Sequence, residues 1–370
     1  MCKAPGIVLW GDCMLKYAAR LEKLNAYIDD ASVWGRNMKL EDVATRARVS
    51  IATVSRVVNN VGPVKNVTRA RVLKAIQELK YHPNLHARTL AGGKSRTLGM
   101  IVSNLANPFF LDIFRALEAE AHRLGYEVVV ANTDYNPRQL VASVHLMMGR
   151  RPAGLAVIVS EMEPSLLQEL TESNLPIVFY DVGTPTRNIS NIKVRYEKGI
   201  QKVVEYLHSV GHRRMAFVGH HTGLDPLLDR KKSFLETMTR YAGEVEHMVA
   251  ADRDSPAGGQ QATRQLLASG FRPTAIICVN DFMALGVVKE LREHGLSVPH
   301  DVSVTGYDNI SLSEYAYPPL TTVNIPREMI GRLAFSALVP EQGDSQVCGR
   351  EFLIDPELVI RESTGPAPTN

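Results

Sequence analysis

The chain has 370 residues, of which 45% are hydrophobic, and this length and composition are typical of two or three compact units with sizeable cores. No apolar run reaches the roughly 18 residues of a membrane-spanning helix, and the apolar piece Gly6–Trp10 is too short for a signal-peptide core. The four cysteines have no close pair, which argues against a disulfide framework or a zinc site and fits a reducing cytoplasm.

The net charge of +3 hides an asymmetry along the chain. Residues 38–97 have twelve Lys or Arg and three Asp or Glu, a local charge of +9, whereas residues 98–370 have 25 and 32, a charge of −7. A basic segment beside an acidic body is expected where a protein contacts phosphate groups. The alternative is an ordinary solvated basic surface, and the helical pattern within the same segment favours phosphate contact.

Residues 1–37 contain no motif beyond an amphipathic helical pattern over Leu15–Ile28. Met38 stands directly before the first clear helical pattern of the chain. Two interpretations are open: translation begins at Met38, or residues 1–37 form a loosely attached or disordered extension.

Residues 40–59 contain two short helical patterns on either side of a tight break at Arg48-Val49-Ser50. Ser50 is a good N-cap, because its hydroxyl can accept a hydrogen bond from a free backbone N–H of the second helix. This arrangement is a helix-turn-helix, whose second helix lies in the major groove of DNA. The residues predicted to contact DNA are Ser50, Ile51, Ala52, Thr53, Ser55 and Arg56.

A third helix is predicted to begin at Thr68 as its cap, with Val72 and Leu79 on one face, and to end before Pro83. Three short helices of this kind can share one small core. The DNA-binding domain is therefore predicted to span residues 38–82.

A short helix is also predicted between Pro83 and Gly93, because proline favours a helix start and the Gly92-Gly93 pair a helix end. Such a helix is too short to be stable alone in water. Residues 83–96 are therefore expected to form a hinge segment that becomes ordered on binding DNA.

Residues 38 to about 365 resemble the lac-repressor (LacI/GalR) family of transcriptional regulators. The motifs that carry this resemblance are Asp42-Val43-Ala44, the run Val49–Asn59, Tyr81-His82-Pro83-Asn84 and Ala87-Arg88-Thr89-Leu90. The resemblance implies a homodimer that binds double-stranded DNA at a near-palindromic operator and places its hinge helices in the minor groove. It adds further DNA contacts at Asn59, Asn84, Ala87, Arg88 and Leu90, and the leucine would wedge between two bases. From the residues alone, Leu90 would be interpreted as a core or linker leucine.

The turn of the helix-turn-helix departs from the family pattern at one position. Family members usually have glycine there, which tolerates a left-handed backbone, whereas this chain has Arg48. A residue with a side chain in that conformation costs about 1 kcal/mol. We therefore expect the fold to survive with a slightly less stable head.

From Ser95 onward, apolar strand patterns alternate with helical patterns, which predicts parallel sheets covered by helices on both faces. The predicted strands are Thr97–Ser103, Tyr126–Asn132, Gly154–Ser160, Pro176–Tyr180, Met215–Gly219, Glu246–Ala250, Ala275–Cys278 and Val302–Gly306. The resemblance implies a periplasmic-binding-protein-like body of two Rossmann-like subdomains that close on a ligand like a hinge.

The predicted fold is thus an all-α helix-turn-helix head plus an α/β body of two parallel-sheet subdomains. The body, which would bind the ligand and form the dimer, is predicted to span residues 97–365. Its subdomains are expected at about 97–193 with 323–345 and at 194–322 with 346–365.

Polar side chains follow several predicted strands, at the edge where ligands bind in open parallel sheets. An arginine with several Asp and Asn residues suits the hydroxyls of a sugar, and a phenylalanine suits the apolar face of a pyranose ring. Position and resemblance together predict effector contacts from Asn107, Phe109, Phe110, Asp181, Arg230, Asn280 and Asp308. The neighbouring Asp281 is expected to be structural and to pair with local backbone.

Two positions leave the class of effector open. The family often has an Asp-Asn pair four and three residues before Gly199, where this chain has Arg195 and Tyr196. Arg195 either selects an anionic or modified sugar or is a solvated surface residue.

The sequence contains no phosphate-binding loop, zinc-protease motif or nucleophile elbow, so neither an enzyme nor a cofactor is expected. The adjacent His220 and His221 are interpreted as cleft-rim residues rather than metal ligands. The predicted function is a sequence-specific DNA-binding regulator, in the first instance a repressor, switched by a small effector that is a sugar or sugar derivative. The alternative is a sugar-binding or transport module without DNA function, against which the basic head argues. No membrane partner is expected.

Overall fold

The computed structural model of the protein describes residues 38–58, 61–81, 95–220, 225–339 and 349–369. Five predicted DNA contacts lie outside the described residues, namely Asn59, Asn84, Ala87, Arg88 and Leu90. The chain divides into two compact units between Gly93 and Lys94, here called the head and the body.

The head is a bundle of three short helices, α1 Leu40–Ala47, α2 Ile51–Val58 and α3 Asn66–Glu78. Small and β-branched side chains at helical spacing form its core, which lets the three helices approach closely. The buried residues of this core are Val43, Ala44, Ala47, Val54, Val57, Val72, Ala75 and Tyr81. The predicted start of the third helix at Thr68 is wrong, because α3 begins at Asn66 and Thr68 lies in its first turn.

The turn between α1 and α2 has the predicted geometry. The Thr53 N–H donates to Oγ of Ser50 at 3.2 Å, so Ser50 caps α2. Arg48 has φ 53° and ψ 51°, the left-handed conformation expected at this position. The head therefore has a side chain where the backbone favours glycine.

The first lobe of the body is a parallel sheet covered on both faces. Its strands are β1 Thr97–Val102, β2 Glu127–Asn132, β3 Gly154–Ile158, β4 Ile177–Tyr180, β5 Ile189–Val194 and β11 Glu351–Ile354. They lie side by side in the order β11-β5-β4-β3-β1-β2. Helices α5 Pro137–Gly149 and α6 Pro164–Glu172 pack on one face, and α4 Pro108–Arg123 and α12 Arg327–Leu338 pack on the other.

The second lobe repeats this architecture with fewer strands. Its parallel sheet contains β6 Arg214–His220, β7 Glu246–Asp252, β8 Ala275–Cys278 and β9 Ser303–Thr305, in the order β7-β6-β8-β9. The helices of this lobe are α7 Tyr196–Ser209, α8 Asp225–Thr239, α9 Pro256–Ala268, α10 Asp281–Glu293 and the short α11 Ser311–Tyr315. A separate antiparallel pair joins β10 Thr322–Asn324 to β12 Glu357–Val359.

The chain passes between the lobes after Val194 and after Asn324, close to the predicted crossings. The third crossing differs from the expectation. Because β11 pairs with β5 and places Ile354 beside Val194, residues 351–354 complete the first sheet. The chain therefore returns to the second lobe beyond Ile354 rather than near residue 346.

Replacing Arg48 by glycine should stabilise the head, because glycine adopts the left-handed conformation without a Cβ clash. We expect the free energy of unfolding of the head to rise by about 1 kcal/mol. The greater freedom that glycine gives the unfolded chain reduces this gain in part. Amide exchange in α1 and α2 of the full chain, followed by mass spectrometry, should slow about threefold to fivefold. Arg48→Ala keeps the Cβ and should show no such gain; equal protection in the two variants would contradict strain at this turn.

Candidate functional site

The exposed face of α2 consists of side chains that the head core does not use. Val54 and Val57 are buried, whereas Ile51, Ala52 and Arg56 are exposed on the opposite side of the helix. The predicted DNA contacts that the structure describes are all exposed or partly exposed: Ser50, Ile51, Ala52, Thr53, Ser55 and Arg56. The exposed surface of α2 is therefore small, with apolar side chains at the N-terminal end of the helix and a cationic side chain at Arg56.

The body contains a small cavity of about 30 Å³ lined by residues from both lobes, mainly beyond the carboxyl ends of the strands. Its wall is aromatic and polar, and consists of Asn107, Phe109, Phe110, Tyr135, Ile158, Val159, Ser160, Tyr180, Tyr196, Arg230, Asp254, Asn280 and Asp308. Six of the seven predicted effector contacts are in this wall, and Asp181 is the exception.

Arg230 is the buried cation of the cavity, with 4% of its surface exposed. Its guanidinium lies over the rings of both Tyr196 and Tyr307, 4.5 Å from each ring centre. Nη1 donates to the carbonyl of Val279 at 2.6 Å, and Nη2 lies 3.1 Å from Oδ1 of Asp308. A further donor of the guanidinium, Nε, is buried without a hydrogen-bond partner. Arg230 is therefore fixed in position with one donor free for a ligand.

Asp308 faces Arg230 from the segment after β9. Its backbone has a φ of 98°, and Arg327 donates to its main-chain oxygen. Burial raises the pKa of Asp308 to about 6, while Arg230 and Arg327 lower it. Although Oδ1 is close to Arg230, the geometry leaves this buried atom without a hydrogen-bond donor. Oδ1 is therefore held in an ion pair with Nη2 of Arg230, next to the unpaired Nε, and its other lone pairs can accept from a ligand.

A hydrogen bond across the cleft joins the two lobes. The Tyr135 hydroxyl, from the loop after β2, donates to Oδ2 of Asp254 in the second lobe. Oδ1 of Asp254 accepts from Nδ2 of Asn280 at 2.6 Å. The ring of Tyr135 also lies 5.4 Å from that of His220, consistent with the cleft-rim interpretation of this histidine. Burial raises the pKa of Tyr135 well above its ordinary value, so it stays a neutral donor.

The aromatic wall is set by the start of α4. Oδ1 of Asn107 accepts from the Phe109 N–H at 3.1 Å and caps this helix. Phe109 and Phe110 then meet edge to face at 5.2 Å, and Phe109 contacts Tyr180 in the same manner at 5.9 Å. The wall therefore has an aromatic surface at this end of α4, and Asn107 supports it through its cap.

Asp181 lies behind the wall. Its carboxylate accepts hydrogen bonds from the Val194 N–H at 2.7 Å and from the Tyr196 hydroxyl, so the Tyr196 ring stands between Asp181 and the cavity. The predicted direct contact of Asp181 with the effector is therefore not supported. Desolvation raises the pKa of this carboxyl to about 7, although both hydrogen bonds lower it.

Contacts favour one of the two interpretations of Arg195 and show the role of Asp281. Arg195 forms an ion pair with Asp355 at 3.1 Å and does not line the cavity, which favours the surface interpretation. Oδ2 of Asp281 accepts from the Ile310 N–H at 2.8 Å, and Oδ1 accepts from the Thr322 hydroxyl. Asp281 is therefore structural, as expected.

Seven residues of the wall were not among the predicted contacts: Tyr135, Ile158, Val159, Ser160, Tyr180, Tyr196 and Asp254. Tyr180 is the last residue of β4, and Asp254 follows β7 by two positions, so the strand-end rule applied to every strand would have found both. Tyr135 owes its place to two successive left-handed residues, Asp134 and Tyr135, which the sequence pattern does not reveal.

Within the described ranges, no group of three or more His, Cys, Asp or Glu side chains has a metal-binding arrangement. No helix among these same residues is long and apolar enough to cross a membrane.

Each of the two units of the chain matches a known protein family. Residues 39–84 match the family "Bacterial regulatory proteins, lacI family", and residues 204–364 match a "Periplasmic binding protein-like domain". The chain is 33% identical over 326 residues to the HTH-type transcriptional repressor PurR of Photobacterium profundum, and the match covers 88% of this chain and 98% of the relative.

Solved structures agree with this sequence similarity. The lac repressor dimer bound to operator and the anti-inducer ONPF has a TM-score of 0.77 and 32% identity, covering 89% of this chain and all of that one. The complex of the transcriptional regulator CelR with cellobiose has a TM-score of 0.60 and 26% identity, and the match covers 88% of this chain and 99% of that one. The predicted fold class, a helix-turn-helix head with a two-lobed parallel-sheet body, is confirmed.

The raised pKa of Asp181 predicts a pH-dependent stability. In the unfolded chain this carboxyl titrates near pH 4. Its protonated form is favoured by folding, so its contribution to the free energy of unfolding is fully present below pH 4 and is lost as pH rises through about 7. Asp181→Asn cannot ionise, so the variant should gain thermal stability relative to the parent chain between pH 5 and pH 8, measured by calorimetry.

Asp355→Asn is the matched control, because Lys198 and Arg195 hold the pKa of Asp355 below its usual value and outside this window. Its melting temperature relative to the parent should be the same at both pH values. A difference between Asp181→Asn and the parent that does not change from pH 5 to pH 8 would rule out titration of Asp181 in this range.

Proposed function

This chain belongs to the lacI family of bacterial regulatory proteins, and from that premise we propose that it is a repressor switched by a carbohydrate bound between its two lobes. It is a DNA-binding transcriptional regulator and not an enzyme, because it matches repressors over nearly their whole length. We place it in the cytoplasm, where operator DNA is accessible.

The single observation that carries the effector proposal is the unpaired donor beside an acceptor with free lone pairs in the cavity. Nε of Arg230 and Oδ1 of Asp308 are both buried without hydrogen-bond partners. A hydroxyl group can accept from the first and donate to the second at the same time. Because unpaired buried polar groups are costly, a hydroxylated ligand would be bound with a clear energetic gain.

The remaining wall supports a sugar in the same way. Phe109 and Phe110 offer an apolar surface for the C–H face of a ring, and Asn280 and Asp254 offer further polar atoms. The CelR structure, which has a similar fold, is a complex with cellobiose. These features favour a compact hydroxylated ring as the effector.

For DNA recognition we propose that Ile51, Ala52 and Arg56 face base edges, while Ser50, Thr53 and Ser55 contact phosphates. The predicted contacts Asn59, Asn84, Ala87, Arg88 and Leu90 complete the interface in this proposal. Phosphate contacts would fix the register of the head, and Arg56 would supply most of the base preference through a bidentate contact with guanine.

We further propose a homodimer formed through the body, with two heads on a near-palindromic operator. The segment around α11 exposes large apolar side chains: Leu312 is 44%, Tyr315 83% and Tyr317 84% exposed. Such aromatic surface is suited to a self-complementary interface. The similar lac repressor structure is a dimer on its operator.

Arg56→Ala should weaken operator binding by about 1–3 kcal/mol, roughly fivefold to 150-fold, and relax the preference for one base. The measurement is a gel shift at fixed salt, with an operator selected from random DNA by the full chain. Arg240→Ala removes the same charge from an exposed position of the body and should leave the affinity unchanged.

The same assay tests the switch. A sugar that raises the melting temperature of the chain should also change its operator affinity, because binding and switching are linked. Unchanged operator affinity in Arg56→Ala would refute the assignment of the reading face. A full set of sugars without effect on either quantity would refute the carbohydrate effector.

A further inference from the structure

We propose that the effector carries an ammonium group next to a hydroxyl, as in an amino sugar, and that Asp254 and Asp308 bind this ammonium. The inference rests on the proposed function, because it concerns the ligand of the same cavity. It follows from the charges, the hydrogen bonds and the unpaired atoms of the wall.

The wall has more carboxylates than cations. Among the described residues that line the cavity, Asp254 and Asp308 are acidic and only Arg230 is cationic. Arg230 is paired with Asp308. Asp254, 5% exposed, accepts hydrogen bonds from the neutral groups of Asn280 and Tyr135 and forms no ion pair within the described residues. One negative charge of the wall is therefore left without a counter-charge.

A further carboxylate stands directly behind the wall. Glu161 is fully buried beside Ser160, a residue of the lining. It accepts from the Ser103 hydroxyl at 2.6 Å, from the Thr133 hydroxyl and from the Ser160 N–H at 3.1 Å, all neutral donors. This arrangement adds to the negative potential inside the cavity, where water screens charges poorly.

The titration of Asp308 agrees with this excess of negative charge. A carboxyl beside an arginine usually has a lowered pKa. Here the pKa of Asp308 is raised to about 6, mainly by burial and to a smaller extent by the charge of Asp254, despite Arg230 and Arg327. A cation between the two aspartates would remove this repulsion.

The unpaired atoms specify where the ligand groups would lie. Asp308 and Arg230 are 2% and 4% exposed, and their atoms Oδ1 and Nε have no hydrogen-bond partner. An ammonium can donate to Oδ1 of Asp308 and to Asp254, and an adjacent hydroxyl oxygen can accept from Nε of Arg230. A neutral sugar would leave Asp254 without a counter-charge, and an anionic one would increase the repulsion.

The test compares matched ligands with the full chain by isothermal titration calorimetry. Three stereochemical series are compared, those of glucose, galactose and mannose. Each series contains four ligands: the hexose, the 2-amino-2-deoxy sugar, its N-acetyl derivative and the uronic acid. Within the stereochemical series that binds, the amino sugar should bind at least about tenfold more tightly than the hexose and the N-acetyl derivative, since a charge-assisted hydrogen bond is gained. The uronic acid should bind most weakly.

Asp254→Asn should reduce the preference for the amino sugar over the hexose to less than about threefold, because the amide keeps hydrogen-bonding capacity and loses the charge. Asp252→Asn is the control, since it removes the same charge two residues away at the end of β7, outside the wall. It should retain the full preference. The comparison of ligands uses the parent chain alone, so it still tests the ammonium site if Asp254→Asn fails to fold.

The outcomes separate this inference from the function on which it rests. A hexose or uronic acid that binds as tightly as its amino counterpart would overturn the ammonium site and leave a carbohydrate effector in place. Equal preference in Asp254→Asn and Asp252→Asn would overturn the role of Asp254. Absence of binding by every sugar of the panel would overturn the carbohydrate effector itself.

Discussion

The buried Arg230–Asp308 pair is the constraint on which the ligand cavity depends. A guanidinium with 4% of its residue surface exposed has lost most of its hydration, and the protein must replace it. Two tyrosine faces, a carbonyl oxygen and a carboxylate do so, and they come from the starts or ends of different elements. Gly199 in α7 is part of this constraint, because a Cβ there would lie 2.3 Å from the Tyr307 hydroxyl. Removing either charged partner would leave the other buried without compensation.

The contacts across the cleft show how such a cavity can act as a switch. Tyr135 of the first lobe binds Asp254 of the second, and Arg327 of the first lobe binds both Asp112 and the main chain of Asp308. These bonds hold one arrangement of the lobes. A ligand that binds this arrangement more tightly than an open one shifts the population by its difference in affinity and no more.

Sequence patterns were most informative where structure is local. Helical spacing and the Ser50 cap located α2, and the family pattern identified Arg48 as a left-handed residue. Strand-end position predicted Asp308, since parallel strands place their carboxyl ends at one edge, whereas a predicted helix start and the family pattern predicted Arg230. Local patterns failed where long-range packing decides. β5 was not predicted, because its buried Ser190 and Asn191 interrupt the apolar run, and Asp181 was misplaced, because Tyr196 from another element covers it.

The most direct test of the account is the operator affinity of Arg230→Lys with and without the sugar that most strongly changes operator binding by the parent chain. Lysine keeps the positive charge and loses both the planar fork that contacts Val279 and Asp308 and the unpaired Nε donor. We predict that the variant binds operator like the parent chain without sugar, and that its response to sugar falls at least about tenfold in sensitivity. A variant with the parent's full response would contradict the claim that this buried pair connects the ligand to DNA binding.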